Sequence, residues 1–431
     1  MKMNSRYLLK TEGARRLYDD FVQNLPVIDF HNHLSINEMQ SNRRFENLTD
    51  LWIAPDPYKH RLMRICGVEE FFITGNAEPY EKFEKFCEVF PYLAGNPVFD
   101  WCRMELDQVF NISLIPSKES ARDIYDTVGR MLQSPEFCFN GILERFHVEY
   151  QSPVASLMDD LSPYDGIKVA PSLRGDNLLQ PSAELIGQLE AITGKNISDI
   201  NSYIGAVALM LDRFAEAGCS FADHSLDDGF FDGEDAEKKT EILVRLGVEY
   251  AKRGWTLLLH MDAKRKTSTC LAKMVGPAGG YAAVGGSFPV SQVCDLLNAM
   301  EQGGGLPDTV LFPLNMSDLP SLAILQGAFT GNGTPAKVQL GPAWWWNDHA
   351  FGIKNTMDCI ASMGVLSQFI GMTTDSRCVL SFVRHDYFRR LICTWLDEQN
   401  AQAEWGLSYQ QLGDIAIKIC YENAKRRIRH G

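Results

Sequence analysis

A chain of 431 residues, 45% hydrophobic and 22% charged, has the composition of a globular protein that buries a large core, which excludes an extended disordered chain. Its formal net charge of -14 excludes the basic surface that generic nucleic-acid or anionic-membrane binding needs, so positive charge for an anionic ligand has to be local. The N-terminus mixes charges into its apolar residues, no apolar run approaches the roughly 18 residues of a membrane span, and 11 cysteines lack any C-x-x-C pair. These features predict a cytoplasmic protein with reduced thiols and no membrane partner.

In chain order, short apolar runs alternate with longer amphipathic stretches, the pattern of βα units around a parallel sheet. Residues 27–33 read as the first strand, 146–150 as the second and 166–173 as the third. Runs at 219–224, 256–260, 309–315, 337–344 and 369–375 complete a set of eight. The expected fold is therefore α/β, a (β/α)8 TIM barrel, with residues 1–431 forming a single domain. The span from about residue 40 to 145 is too long for one βα connection. Its aromatic residues recur at helical spacing (Phe83, Phe86, Phe90), which predicts a helical insertion after the first strand that caps the barrel mouth.

Most of these runs end in polar residues, and a barrel of this kind builds its active site at the carboxyl ends of its strands. His31 and His33 end the first run two positions apart, so on a strand both imidazoles share one face. His260 ends the fifth run and Asp375 the eighth. First and eighth strands are neighbours in a closed barrel, which would bring His31, His33 and Asp375 to one divalent ion beside His260. Three imidazoles and a carboxylate suit zinc or another first-row ion, one per chain, since no second carboxylate is placed to bridge a second metal.

DFHNHLS at 29–35, YKHRLMR at 58–64, GWTLLLHMDAKR at 254–265 and VQLGPAWWWND at 338–348 carry a resemblance that extends over nearly the whole length. It continues through LSQFIGMTTDSR at 366–377, RHDYFRR at 384–390 and ICYENAK at 419–425. The chain resembles the uronate (glucuronate) isomerase family of the amidohydrolase superfamily. The resemblance implies aldose–ketose isomerisation of a hexuronate, with His31, His33, His260 and Asp375 as metal ligands and Tyr58, Asp375 and Arg377 as catalytic groups. Arg174 and Trp344 match family positions that line the substrate pocket, whereas Arg265, Arg384, His224 and His385 read as structural. The resemblance leaves room for a homo-oligomer.

Two segments depart from the family pattern. Asp56-Pro57-Tyr58-Lys59 has proline where the family has histidine, and residues 150–154 lack the family's acidic and hydroxyl groups after the second strand. Both bear on which uronate is preferred. The alternative readings are a sugar-acid lactonase on the same scaffold, disfavoured because Phe312-Pro313-Leu314-Asn315 lacks a histidine, and a non-catalytic sugar-acid binder.

Overall fold

The computed structural model describes residues 6–164 and 169–428. Its strands, in chain order, are β1 (Val27–Asn32), β2 (Val148–Ser156), β3 (Ser172–Arg174), β4 (Phe221–Leu226), β5 (Thr256–Met261), β6 (Ala263–Lys264), β7 (Ala283–Val284), β8 (Asp308–Pro313) and β9 (Val338–Leu340). Seven of them form one parallel sheet in the order β1-β2-β3-β4-β5-β8-β9, and β6 pairs with β7 as a short antiparallel hairpin. Every residue of β1 and of β5 is buried, as expected for strands covered on both faces. Helices between the strands supply that cover. The helix Ala236–Arg253, for example, buries Ile242, Leu243, Leu246 and Tyr250 on one face and ends at Gly254, whose φ of 66° is the left-handed stop that glycine allows.

The closed eight-stranded barrel expected from the sequence is not formed. Residues 369–375, read as the eighth strand, contain no strand, and the seven-stranded sheet stays open. The reason is local. Gly371 has φ +87°, and a Cβ there would lie 2.1 Å from the Ile419 carbonyl oxygen, while Asp375 has φ +49°. Two left-handed residues in one short run break the extended backbone that a ladder needs. Side chains take the backbone donors instead. Ile370 N donates to Gln339 Oε1 on β9 (2.8 Å), and Thr374 N donates to Asp29 Oδ1 on β1 (2.7 Å).

The other strand expectations are shifted rather than lost. The second begins near the expected place but runs on to Ser156, and β3 is confined to Ser172–Arg174. Part of the third expected run, 165–168, lies outside the described residues. Between β1 and β2 the chain is helical, with Pro57–Ile65, Pro79–Val89, Pro97–Phe110 and Ala121–Met131 among its helices, and Phe83, Phe86 and Phe90 are fully buried there. The cysteines are all unpaired, and among the described residues no helix is long and apolar enough to cross a membrane.

Candidate active site

One cavity of about 870 Å³ opens at the carboxyl ends of the strands, and the residues picked from the sequence meet there. His31, His33, Tyr58, Arg174, His260, Trp344, Asp375 and Arg377 all line it. β1 delivers His31 and, just beyond its end, His33. Their Nε2 atoms lie 3.4 Å and 3.1 Å from the same oxygen, Asp375 Oδ1. β5 delivers His260, whose ring centroid is 4.7 Å from that of His31. Asp375 reaches the cluster although its segment is not a strand, because Asp375 N donates to His31 O (3.1 Å) and His33 N donates to Ser376 O (2.8 Å).

The cluster departs from the expected four-ligand set in two respects: His260 groups with His31 and Asp223 rather than with His33 and Asp375, and a second carboxylate is present. Two groups of possible ligand atoms lie within 4.8 Å of one another: His31, His33 and Asp375, and His31, Asp223 and His260. The sequence reading placed no second carboxylate here, yet Asp223 on β4 is one, fully buried, with Oδ2 3.9 Å from His260 Nδ1. Burial pushes its carboxyl up to about 6 against the pull of Arg174 and His31. A single aspartate inside an apolar run has no spacing signature, which is why Asp223-His224 registers only as a strand end.

These donors fit a divalent cation. His31 Nδ1, His260 Nε2 and Asp223 Oδ1 are buried without a hydrogen-bond partner, a costly state for polar atoms unless something else engages the group. Burial lowers His33 to about 4 and His260 well below the usual imidazole range, so both rings are neutral near pH 7. Burial disfavours the charged form of Asp375, but hydrogen bonds from His31 and His33 outweigh it and hold the carboxyl well below its ordinary range. His31 moves the other way from His33 and His260: burial lowers it, but its hydrogen bond to Asp375 and the charge of Asp223 outweigh burial. An ion there would take the place of its proton, since neutral imidazoles and an ionised carboxylate are the states that bind metal.

Around this cluster the cavity wall is cationic and aromatic. Arg174, at the end of β3, pairs with Asp176 (2.8 Å) and more distantly with Asp223 (3.5 Å), which fixes its guanidinium at the wall. Arg377 is exposed to the cavity, and Arg265 and Lys266 extend the basic side. Local positive charge in a chain of net charge -14 is what an anionic substrate requires. Trp344 packs edge-on against His260 with centroids 4.7 Å apart, so it touches the cluster as well as lining the cavity.

Tyr58 enters from the helix Pro57–Ile65. Asp56 caps that helix by accepting from Tyr58 N (2.9 Å) and is itself paired with the buried Lys59 (2.5 Å). Pro57, the departure from the family pattern, occupies the first helical position, where a missing N–H has no intrahelical acceptor to lose. The Tyr58 ring stands edge-on to Trp101 and Trp346, and its hydroxyl is buried with no partner. Burial raises its pKa well above the ordinary phenol value, so the hydroxyl keeps its proton at neutral pH. Arg384 forms a buried pair with Asp348 (2.7 Å) and its guanidinium lies 5.7 Å from the centroid of the Tyr58 ring. Residues 150–154, the other departure, do not line the cavity.

Comparison with known proteins agrees with this geometry. The family model described as glucuronate isomerase matches residues 1–239 and 231–427. A uronate isomerase of Oceanobacillus iheyensis is 34% identical, the match covering 100% of this chain and 98% of that protein. One from Edwardsiella ictaluri is 36% identical over 97% of each. Among solved structures, the uronate isomerase of Thermotoga maritima superposes with a TM-score of 0.91 at 26% identity, covering 100% of both chains. The glucuronate isomerase of Caulobacter crescentus, at 20% identity, shares the fold with a TM-score of 0.87 over 99% of this chain and 97% of that one. The chain belongs to the glucuronate isomerase family.

Proposed function

We propose that the chain is a cytoplasmic uronate isomerase that interconverts an aldouronate and a ketouronate: D-glucuronate and D-fructuronate, D-galacturonate and D-tagaturonate, or both. The observation that carries this reading is the convergence in one cavity of a His–His–Asp cluster, a protonated phenol, Arg174 held by its ion pairs, and Arg377. A uronate isomerase that works through an enediol has to anchor the carboxylate, remove a proton at C2, stabilise the oxyanion that develops and return a proton at C1.

His31, His33 and Asp375 would hold one divalent ion, with His260 and Asp223 adjoining. Both candidate triads need His31, which favours one ion per chain over two. Zinc suits the nitrogen-rich set, and when bound the ion supplies Lewis-acid polarisation of a substrate oxygen. Asp375, ionised, takes the C2 proton. Tyr58, protonated beneath its aromatic cover, donates and recovers the second proton. Arg377 faces the enediolate oxygen, and Arg174 with its planar fork of donors receives the carboxylate. Trp344 shapes the apolar side of the pocket. We also take residues 40–145 as a helical insertion within a single domain that covers the pocket, since Pro57 and Tyr58 from that segment line it.

The test is an assay of purified protein with D-glucuronate, D-galacturonate and a panel of aldonolactones. Ketose formation from a uronate is expected. Acid release from a lactone without any ketose would overturn the reading. Within the same assay, Arg174→Met should raise KM by about 2 to 5 kcal/mol in binding terms, the cost typical of an unpaired buried charge, with bound metal retained. A KM within twofold of wild type would remove Arg174 from substrate recognition.

A further inference from the structure

We infer that Asp29 is a positioning residue whose carboxylate clamps the Asp375 segment onto the His-x-His strand, substituting side-chain hydrogen bonds for the ladder that an eighth strand would form. The inference rests on the proposed role of His31, His33 and Asp375 as the ion-holding group.

Asp29 is fully buried in the middle of β1, two residues before His31. Its Oδ1 accepts from Thr374 N (2.7 Å), lies 2.7 Å from Thr373 Oγ1, and has His385 Nε2 at 3.4 Å. Its Oδ2 accepts from Thr374 Oγ1 (2.7 Å) and Asn32 Nδ2 (2.9 Å). Thr373 Oγ1 also accepts from His31 N (2.9 Å), which ties the same hydroxyl to the ligand-bearing strand. A carboxylate offers about four acceptor directions, and here one donor from β1 and three from residues 373–374 occupy them, with His385 of the helix Val383–Gln402 alongside.

A buried carboxylate is tolerable only while those donors stay in place, so its satisfaction and the docking of residues 373–374 are one event. The alternative fastenings are few. Beside the Thr373 hydroxyl, which lies 2.7 Å from His31 O, the left-handed Gly371 and Asp375 leave the backbone just the bonds from Asp375 N to His31 O and from His33 N to Ser376 O on this side. The distances from Asp375 Oδ1 to the two imidazoles therefore depend on a residue that touches neither substrate nor ion. Outer groups of this kind orient metal ligands and change affinity about 10- to 100-fold when removed.

The experiment compares wild-type and Asp29→Asn proteins, freed of metal and titrated with Co2+. It reads the dissociation constant, the visible spectrum of the Co2+ complex, the thermal midpoint, and kcat separately from KM. The amide keeps the shape of the side chain but turns one acceptor oxygen into a donor that faces other donors. Co2+ binding weakened about 10- to 100-fold, with an altered visible spectrum and a fall in kcat larger than the change in KM, is the expected result. A lowered thermal midpoint with wild-type Co2+ affinity and spectrum would overturn the inference, because a residue that only stabilises the fold leaves the site of the folded protein unchanged. If Asp29→Asn does not fold, the paired substitution Thr373→Val and Thr374→Val removes two hydroxyls at nearly constant shape and is read by the same criteria. Wild-type protein that takes up no Co2+ would overturn the ion site and the clamp together, whereas uptake by wild type matched by the variant overturns the clamp alone.

Discussion

Asp375→Asn should abolish most activity, with kcat lowered by about 10,000-fold, the upper end of the range for loss of a general acid or base, and with bound metal lost as well. The substitution isolates charge from shape. Asparagine tolerates the left-handed backbone that residue 375 adopts (φ +49°), so the loop has no conformational reason to move. What disappears is the negative charge beside His33 Nε2, 3.1 Å from Asp375 Oδ1, and His31 Nε2, 3.4 Å from it. The amide neither accepts the C2 proton nor replaces an anionic ligand. Elemental analysis alongside kcat checks both consequences. Retained metal with turnover within tenfold of wild type would remove Asp375 from both roles.

Tyr58→Phe should lower kcat by about 100- to 10,000-fold while leaving metal content and thermal stability essentially unchanged. The stability half of this expectation comes from the hydroxyl having no hydrogen-bond partner, so its removal breaks no bond within the protein and relieves an unsatisfied buried group. The ring contacts with Trp101 and Trp346 survive in phenylalanine. A hydroxyl kept in place at a cost to stability is what a group reserved for substrate looks like. Near-wild-type kcat in this variant would transfer the second proton step to another group.

Legibility in the sequence differs from residue to residue. β5 was legible because Leu257, Leu258 and Leu259 form an uninterrupted apolar run that ends at His260, and β1 because Val27, Ile28 and Phe30 lead into the His31–His33 pair. Residues 369–375 have the same apolar look but do not form a strand, since what excludes a ladder is the sign of φ at Gly371 and Asp375 and the reach of Asp29 and Gln339. None of these is visible in hydrophobic pattern. Expecting Asp375 near His31 through strand neighbours gave the right meeting place by a different route: the contact is held by two main-chain bonds and a buried carboxylate. Asp223 was missed because its significance lies in being buried beside His260, a fact of the third dimension. Tyr58 carried no signal of its own in pattern or spacing. The family motif around it was the only guide, and the structure brings it to the same cavity as the histidines.

An enediol route requires this cavity to move a proton between C1 and C2 of a uronate. Turnover of D-glucuronate carrying deuterium at C2, in ordinary water, tests it most directly. Enediol transfer gives a ketouronate product in which part of the label has been lost to solvent, because the proton passes through groups that exchange with water. A ketouronate that retains all of the label at C1 would contradict it and indicate a hydride shift.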